Sequence, residues 1–221
     1  MIRQQIGYIP KVIRSIEKRK SQINGIIEIE ERQEFGVLIS IGGLSQSGGA
    51  VTKVWYDTLR QLASYKKQFK KCLILGLGGG TLVGLLKKCF PNTKIVGVEI
   101  DPVMVELGKK YLGLSENDVD IIIEDAHTYI NQSSIVKNNE FDLILVDIYL
   151  GRSVPKKFDS EKYIMATKRL AAKEGIIIFN RVNLSEDETR NRILFQNLQR
   201  NFPKVIPHFI NDNLTLICFT N

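Results

Sequence analysis

The chain has 221 residues, 43% hydrophobic and 25% charged, which suits a single α/β domain with a small attachment. No apolar run reaches the ~18–20 residues of a membrane-spanning helix, and the first residues, Met1 to Gln5, lack the apolar stretch of a secretory leader, so a cytoplasmic protein is expected. The net charge of +7 lies wholly in residues 1–71, with 13 Lys/Arg against 6 Asp/Glu, while residues 72–221 balance at 18 each.

That basic surplus includes Lys11, Arg14, Lys18, Arg19, Lys20, Lys66-Lys67 and Lys70-Lys71. It fits either an anionic partner or a solvated face. No aromatic residues interleave with the lysines as a base-stacking surface requires, so nucleic acid is not the expected partner. Cys72, Cys89 and Cys218 are far apart, with neither zinc-ligand nor disulfide-framework spacing, and reduced thiols are expected.

Residues 9–20 read as a short basic helix with Val12, Ile13 and Ile16 on one side. Residues 23–30 alternate apolar and acidic side chains and residues 35–41 are a second β-rich run, which together read as a hairpin. Gly42-Gly43 and residues 45–49 form a Gly/Ser-rich stretch, a plain linker or a mobile loop near a site. Residues 51–65 then read as an amphipathic helix with Val54, Trp55, Leu59 and Leu62 as its stripe.

From residue 72 strands and helices alternate. Strands are predicted at 72–77, 94–100, 119–123, 141–146 and 175–179, and helices at 81–89, 102–111, 160–172 and 186–200. Residues 204–210 and 214–219 form a closing antiparallel hairpin across Asn211-Asp212-Asn213. The fold class is therefore α/β, a Rossmann-like doubly wound, mostly parallel sheet with a C-terminal antiparallel hairpin. Residues 1–50 are a basic helix and β-hairpin extension, and residues 51–221 the Rossmann-like domain.

The sharpest segment is Leu73-Ile74-Leu75-Gly76-Leu77-Gly78-Gly79-Gly80-Thr81, a strand entering a Gly-rich turn and a helix. Such a turn lets a ligand approach bare backbone. Glu99 ends the second strand, 23 residues after Gly76, where a carboxylate accepts from ribose hydroxyls. Asp125 follows the third strand, placed to accept from an adenine amino group, and Asp147 closes the fourth. Open α/β sheets hold their ligands at these strand ends. Each acid also fits a helix N-cap, but acids at successive strand ends favour a site. Thr81 stands where a dinucleotide fingerprint wants Gly or Ala, and no Gly-Lys-Ser/Thr follows for an NTPase loop. Nothing marks a metal site.

These segments resemble the spermidine synthase-like branch of the class I S-adenosylmethionine-dependent methyltransferase fold. The resemblance covers residues 22–180 and rests on residues 73–81, on Val98-Glu99-Ile100-Asp101-Pro102 leading to Tyr111, on Glu124-Asp125-Ala126, on residues 141–147, on 155–158 with Tyr163, and on residues 26–46. It implies that Gly76, Gly78, Gly79, Gly80, Glu99 and Ile100 hold the methionine and ribose parts. Asp125 and Ala126 would take the adenine, Asp147 would border the reacting end, and Gln46 would close over the ligand.

Departures from that family bear on the reaction. Aminopropyl-transferring members carry an aspartate where this chain has Gly79, and a second one followed by proline where it has Leu150-Gly151. Their Tyr-His-Glu-like run appears as Trp55-Tyr56-Asp57. A polyamine would lack two carboxylate anchors. The expected activity is thus S-adenosyl-L-methionine-dependent methyl transfer to an amine or hydroxyl of a small-molecule acceptor. Asp147 would orient or deprotonate that acceptor and Tyr149 would shape its pocket, which Tyr56 and Asp57 would line from the N-terminal side. His127 begins a helix just after Asp125, either near the adenine or in a surface role. The alternatives are aminopropyl transfer from decarboxylated S-adenosylmethionine, and a non-catalytic adenosyl-ligand-binding protein. The exposed edges of the N-terminal hairpin make a homodimer the expected assembly.

Overall fold

The computed structural model describes residues 12–65, 68–132, 138–151, 153–182, 188–210 and 212–221. Residues 9–11 of the predicted basic helix, Lys66-Lys67, the predicted start of the last helix at Glu186, and Asn211 lie outside the described residues.

A small four-stranded antiparallel sheet comes first: β1 (Val12–Ser21), β2 (Gly25–Arg32), β3 (Gly36–Ile41) and β4 (Leu44–Ser47). Two expectations are corrected here. The predicted helix over 9–20 is strand β1. Val12, Ile13 and Ile16 fit either period, and pairing decided: Lys18 reaches Glu28 at 2.8 Å and Arg14 reaches Glu31 at 3.1 Å across the β1–β2 ladder. The Gly/Ser-rich stretch, read as a plain linker or a mobile loop near a site, is also partly strand. Gly42-Gly43, both with positive φ, turn the chain so that Ile41 faces Leu44, and residues 44–47 join the sheet.

Helix α1 (Gly49–Tyr65) leads into the main sheet. Its strands and helices alternate as β5 (Lys71–Leu75), α2 (Thr81–Cys89), β6 (Lys94–Glu99), α3 (Pro102–Tyr111), β7 (Asp120–Ile123), α4 (Ala126–Asn131) and β8 (Phe141–Val146). A 3-10 turn at Lys156–Asp159, α5 (Glu161–Leu170), β9 (Ala171–Val182), α6 (Glu188–Asn201), β10 (Lys204–Ile210) and β11 (Asn213–Phe219) complete the chain. The seven strands lie in the order β10-β11-β9-β8-β5-β6-β7. β9, β8, β5, β6 and β7 pair in parallel, and β11 pairs antiparallel with both β9 and β10. This is the doubly wound, Rossmann-like sheet with a terminal hairpin.

Side chains on both faces of β5 and β8 are fully buried, as the continuous apolar runs require. One face packs on α1 and α2 through Trp55, Leu59, Leu82 and Leu86; the other packs on α4, α5 and α6 through Ile130, Ile164 and Leu194. Ile27, Ile29 and Ile39 of the small sheet close on Met104 and Leu107 of α3. The small sheet thereby sits over the carboxyl ends of β5 and β6.

Charge reinforces that docking and absorbs much of the N-terminal surplus. Arg19 pairs with Glu17 and, at 3.1 Å, with Glu106 of α3, and Glu17 takes Lys110 at 2.6 Å together with the Tyr111 hydroxyl. Lys110 and Tyr111 pull the Glu17 carboxyl down to about 2. β1 therefore presents paired cations rather than a bare basic stripe. Among the described residues no helix is long and apolar enough to cross a membrane.

Candidate active site

The chain leaves β5 through Gly76, whose N–H and that of Leu77 both donate to Val98 O at 3.0 Å. Gly76 has φ +91, and a Cβ there would lie 2.2 Å from the Asp147 carbonyl oxygen. Glycine is thus imposed by conformation and by space. The turn is tied to the small sheet: the Gly79 N–H donates to Ser47 Oγ and the Gly48 N–H to Thr81 Oγ1, both at 2.7 Å.

A cleft of about 1210 Å³ opens above this turn, between the small sheet and the carboxyl ends of β5, β6, β8 and β9. Gly76 and Gly78 line it; Gly79 and Gly80 do not. Of the four glycines expected to hold a ligand, the lining thus includes two. The backbone of Gly79 lies under α3, where a Cβ on Gly108 would meet Gly79 O at 2.6 Å, and Gly80 packs beneath Leu114. A Cβ on Gly79 itself would meet only side-chain atoms, the mobile Ile39 Cδ1 at 2.6 Å and Leu112 and Ser47 at 3.1 Å, so it asks those neighbours to give rather than the backbone.

The three strand-end acids all line the cleft. Glu99 is 7% exposed and accepts from the N–H groups of Gly78 at 2.7 Å and Asp101 at 3.0 Å. Burial pushes its carboxyl up, and those two N–H groups oppose the shift. Ile100 beside it presents a half-exposed apolar side chain to the same cleft.

Asp125 caps α4 by accepting from the Thr128 N–H at 3.0 Å, and its second oxygen takes the Lys157 ammonium at 2.7 Å. The helix cap and the cleft position are both realised. Burial alone would raise this carboxyl, but Lys157 and the Thr128 N–H outweigh it and hold Asp125 below its ordinary value. Ala126 lines the cleft as the first residue of α4.

Asp147 follows β8 and is held from behind. Trp55 Nε1–H donates to Oδ2 at 2.7 Å and Asn180 Nδ2–H to Oδ1 at 2.8 Å. Burial raises its carboxyl, countered first by the Asn180 and Trp55 hydrogen bonds and then by the Arg181 charge. Gln46 on β4 spans the opening and donates from Nε2 to Gly151 O at 3.0 Å. Tyr149 also lines the cleft and packs against the core below it.

Tyr56 and Asp57 are not brought in. On α1 the stripe of Trp55, Leu59 and Leu62 faces the sheet, so the next two positions turn away. The Tyr56 ring lies under the cations of Lys88 and Arg60, and Asp57 pairs with Lys53 at 2.8 Å. Trp55, their neighbour, is the residue that meets the site. His127 stacks on Tyr163 with 6.2 Å between ring centroids and lies outside the cleft lining. Lys157 and Asn180 were missed. Asn180 lies one position beyond the predicted end of its strand, the same kind of position that singled out Glu99 and Asp147. Among the described residues no three His, Cys, Asp or Glu side chains converge as metal ligands.

Comparison with known proteins places this geometry. The family model described as spermine/spermidine synthase domain matches residues 58–217. A polyamine aminopropyltransferase of Vibrio vulnificus (strain CMCP6) is 29% identical over 118 residues, covering 53% of this chain and 39% of that protein. An eEF1A lysine and N-terminal methyltransferase homolog of Drosophila pseudoobscura pseudoobscura is 29% identical over 168 residues, covering 72% of this chain and 24% of that protein. The chain therefore spans well under half the length of either curated relative. Among solved structures, a spermidine synthase in complex with the transition-state analogue AdoDATO superposes with a TM-score of 0.78 at 20% identity, over 96% of this chain and 75% of that one.

Proposed function

Because the chain belongs to the spermine/spermidine synthase domain family, we propose that it is an S-adenosyl-L-methionine-dependent methyltransferase acting on an amine acceptor. The observation that carries this reading is the missing carboxylate at Gly79. Aminopropyl-transferring members that this chain resembles carry an aspartate at that position, and Gly79 offers no anion to hold a terminal amine. Leu150-Gly151 likewise supply no second carboxylate to hold a diamine. The methyltransferase relative, named for lysine and N-terminal acceptors, points the same way.

The cleft fits an adenosyl sulfonium ligand. Gly76 and Gly78 line it with bare backbone, Glu99 keeps lone pairs for two ribose hydroxyls, and Asp125 and Ala126 border the place for the purine. When bound, the sulfonium supplies an electrophilic methyl carbon. The protein's part is alignment and exclusion of water. Asp147 accepts a hydrogen bond from the acceptor amine, which turns the nitrogen lone pair toward the reacting carbon, and it receives or passes on the proton released afterwards. Gln46 and Tyr149 close the acceptor side. The free thiols of Cys72, Cys89 and Cys218 suit a reducing compartment such as the cytoplasm.

Titration calorimetry with S-adenosylmethionine and with its decarboxylated form tests the reading, paired with radiolabelled methyl transfer to lysine peptides, free peptide N-termini and putrescine. Tighter binding of the carboxylated form and label on an amine are expected. Clear preference for the decarboxylated form would overturn it. The homodimer would form along β1, the longer of the two edge strands of the small sheet among the described residues; a monomer mass by light scattering would exclude it.

A further inference from the structure

Asp147 sits at the end of a chain of side-chain hydrogen bonds that begins on β11, the strand paired with β9. Asn213 at the start of β11 donates from Nδ2 to Asn180 Oδ1 at 3.1 Å. That bond fixes which end of the Asn180 amide faces Asp147, since an amide whose oxygen is engaged must present its nitrogen. Asn180 Nδ2 then donates to Asp147 Oδ1, and Trp55 Nε1 donates to Oδ2 from α1. Asn180 is 3% exposed and Trp55 fully buried. Trp55 is also the only tryptophan of the chain, and the indole nitrogen, its sole polar side-chain atom, is spent on this carboxylate.

Both donors are neutral and neither is able to accept a proton, because an indole and an amide nitrogen only donate. A carboxylate offers about four lone-pair sites. Two are occupied here, one on each oxygen, which leaves the others available to a ligand in the cleft that Asp147 lines. Other groups around the carboxylate do not alter this: the Asp147 N–H is committed to Leu75 O, and the buried Arg181 guanidinium is turned to Asn180 O and Asp159.

We propose that Trp55, Asn180 and Asn213 are positioning residues that clamp the Asp147 carboxylate so that its free lone pairs are aimed at the acceptor amine. The proposal rests on the reading of Asp147 as the acceptor-facing group. The clamp joins α1 to the paired strands β9 and β11, where Asn213 faces Val182 and Thr215 faces Asn180. No proton relay leads onward through the clamp, so a proton taken up by Asp147 leaves again by way of the cleft.

The lone tryptophan makes this testable without an acceptor in hand. In a 15N-labelled sample the indole N–H gives one resonance. Bonded to a carboxylate, it is expected downfield of its position in denatured protein, and it should remain there with S-adenosylhomocysteine bound. Asp147→Asn should move it upfield. Asn180→Leu and Asn213→Ala should each shift it, because they free the carboxylate to rotate, and Asn213→Gln should restore part of the shift. In the unmodified protein the same resonance should follow one titration step, absent in Asp147→Asn. An indole resonance that neither titrates nor responds to Asp147→Asn would overturn the clamp. The titration uses the unaltered chain, so it decides the matter even where a variant fails to fold. Failure to bind S-adenosylhomocysteine at all would instead count against the proposed function and leave the titration result standing.

Discussion

Asp101 and Glu99 divide the work of joining the two sheets. The Asp101 N–H supports Glu99 Oε1 at 3.0 Å, while the Asp101 carboxylate turns outward to Ser21 Oγ at 2.5 Å and Asn24 Nδ2 at 2.7 Å on the β1–β2 turn. Ser21 Oγ in turn accepts from the N–H groups of Ile23 and Asn24. Ser21→Ala strips a buried carboxylate and two backbone donors of a partner. A loss of about 1–3 kcal/mol is expected for such groups, read as a lower denaturant midpoint, with weaker uptake of adenosyl ligands as the small sheet loosens. An unchanged midpoint would show that the docking rests on apolar contacts alone.

Gly76→Ala should be far more severe. The added methyl would lie 2.2 Å from a backbone oxygen that cannot move without shifting β8, at a φ of +91. A destabilisation of about 3 kcal/mol or more is expected, together with loss of ligand binding. Thermal unfolding and calorimetry measure the two effects.

Gly79→Asp tests the reaction assignment. Introducing the family's aspartate must displace the end of the Ile39 side chain, 2.6 Å from the added Cβ, and should lower the melting temperature slightly; it should not create affinity for decarboxylated S-adenosylmethionine, because Leu150-Gly151 still supply no second carboxylate. Adding Ile39→Ala opens room and should recover part of the stability. Tight binding of the decarboxylated ligand by the single variant would argue that only one residue separates the two activities.

The acids should respond to pH with opposite signs. Glu99 and Asp147 are raised by burial, so between their ordinary and folded-state values the folded protein holds protons that the unfolded chain has released. Stability therefore declines as pH rises through that window. Asp125 is lowered by Lys157 and its helix cap, and its contribution is present at neutral pH and lost as pH falls through the ordinary carboxylate range. Urea unfolding across pH should show Asp147→Asn flattening the first slope and Lys157→Met the second. Slopes unchanged in both variants would contradict the assignment.

Adenosyl uptake should strengthen as Glu99 ionises, since ribose hydroxyls need a carboxylate acceptor. Binding should then release a proton, visible as an apparent enthalpy that varies with the ionisation heat of the buffer. Glu99→Ala and Asp125→Ala should each abolish or severely weaken uptake. Full affinity in either would remove that acid from the site.

Much of this was readable from residue order because it is local. The helices at 81–89 and 102–111 and the strand at 141–146 appear with the predicted bounds, since Gly-rich turns, an N-terminal Pro and unbroken apolar runs act on nearby backbone. The rule that ligands gather at parallel strand ends brought Glu99, Asp125 and Asp147 into one cleft. What was misread depends on partners distant in sequence. β1 is a strand because β2 supplies acids for its cations. Trp55 rather than Tyr56 meets Asp147 because the sheet sets the rotation of α1. Gly79 faces α3 and the small sheet rather than the cleft for the same kind of reason.

The bond from Gln46 to Gly151 ties β4 of the small sheet to the loop after β8, and both residues line the cleft. For the adenosyl compound proposed above, release should then depend on that bond opening. Residence time, more than equilibrium affinity, is then the quantity that β4 controls, and removing the Gln46 amide should quicken entry and exit together.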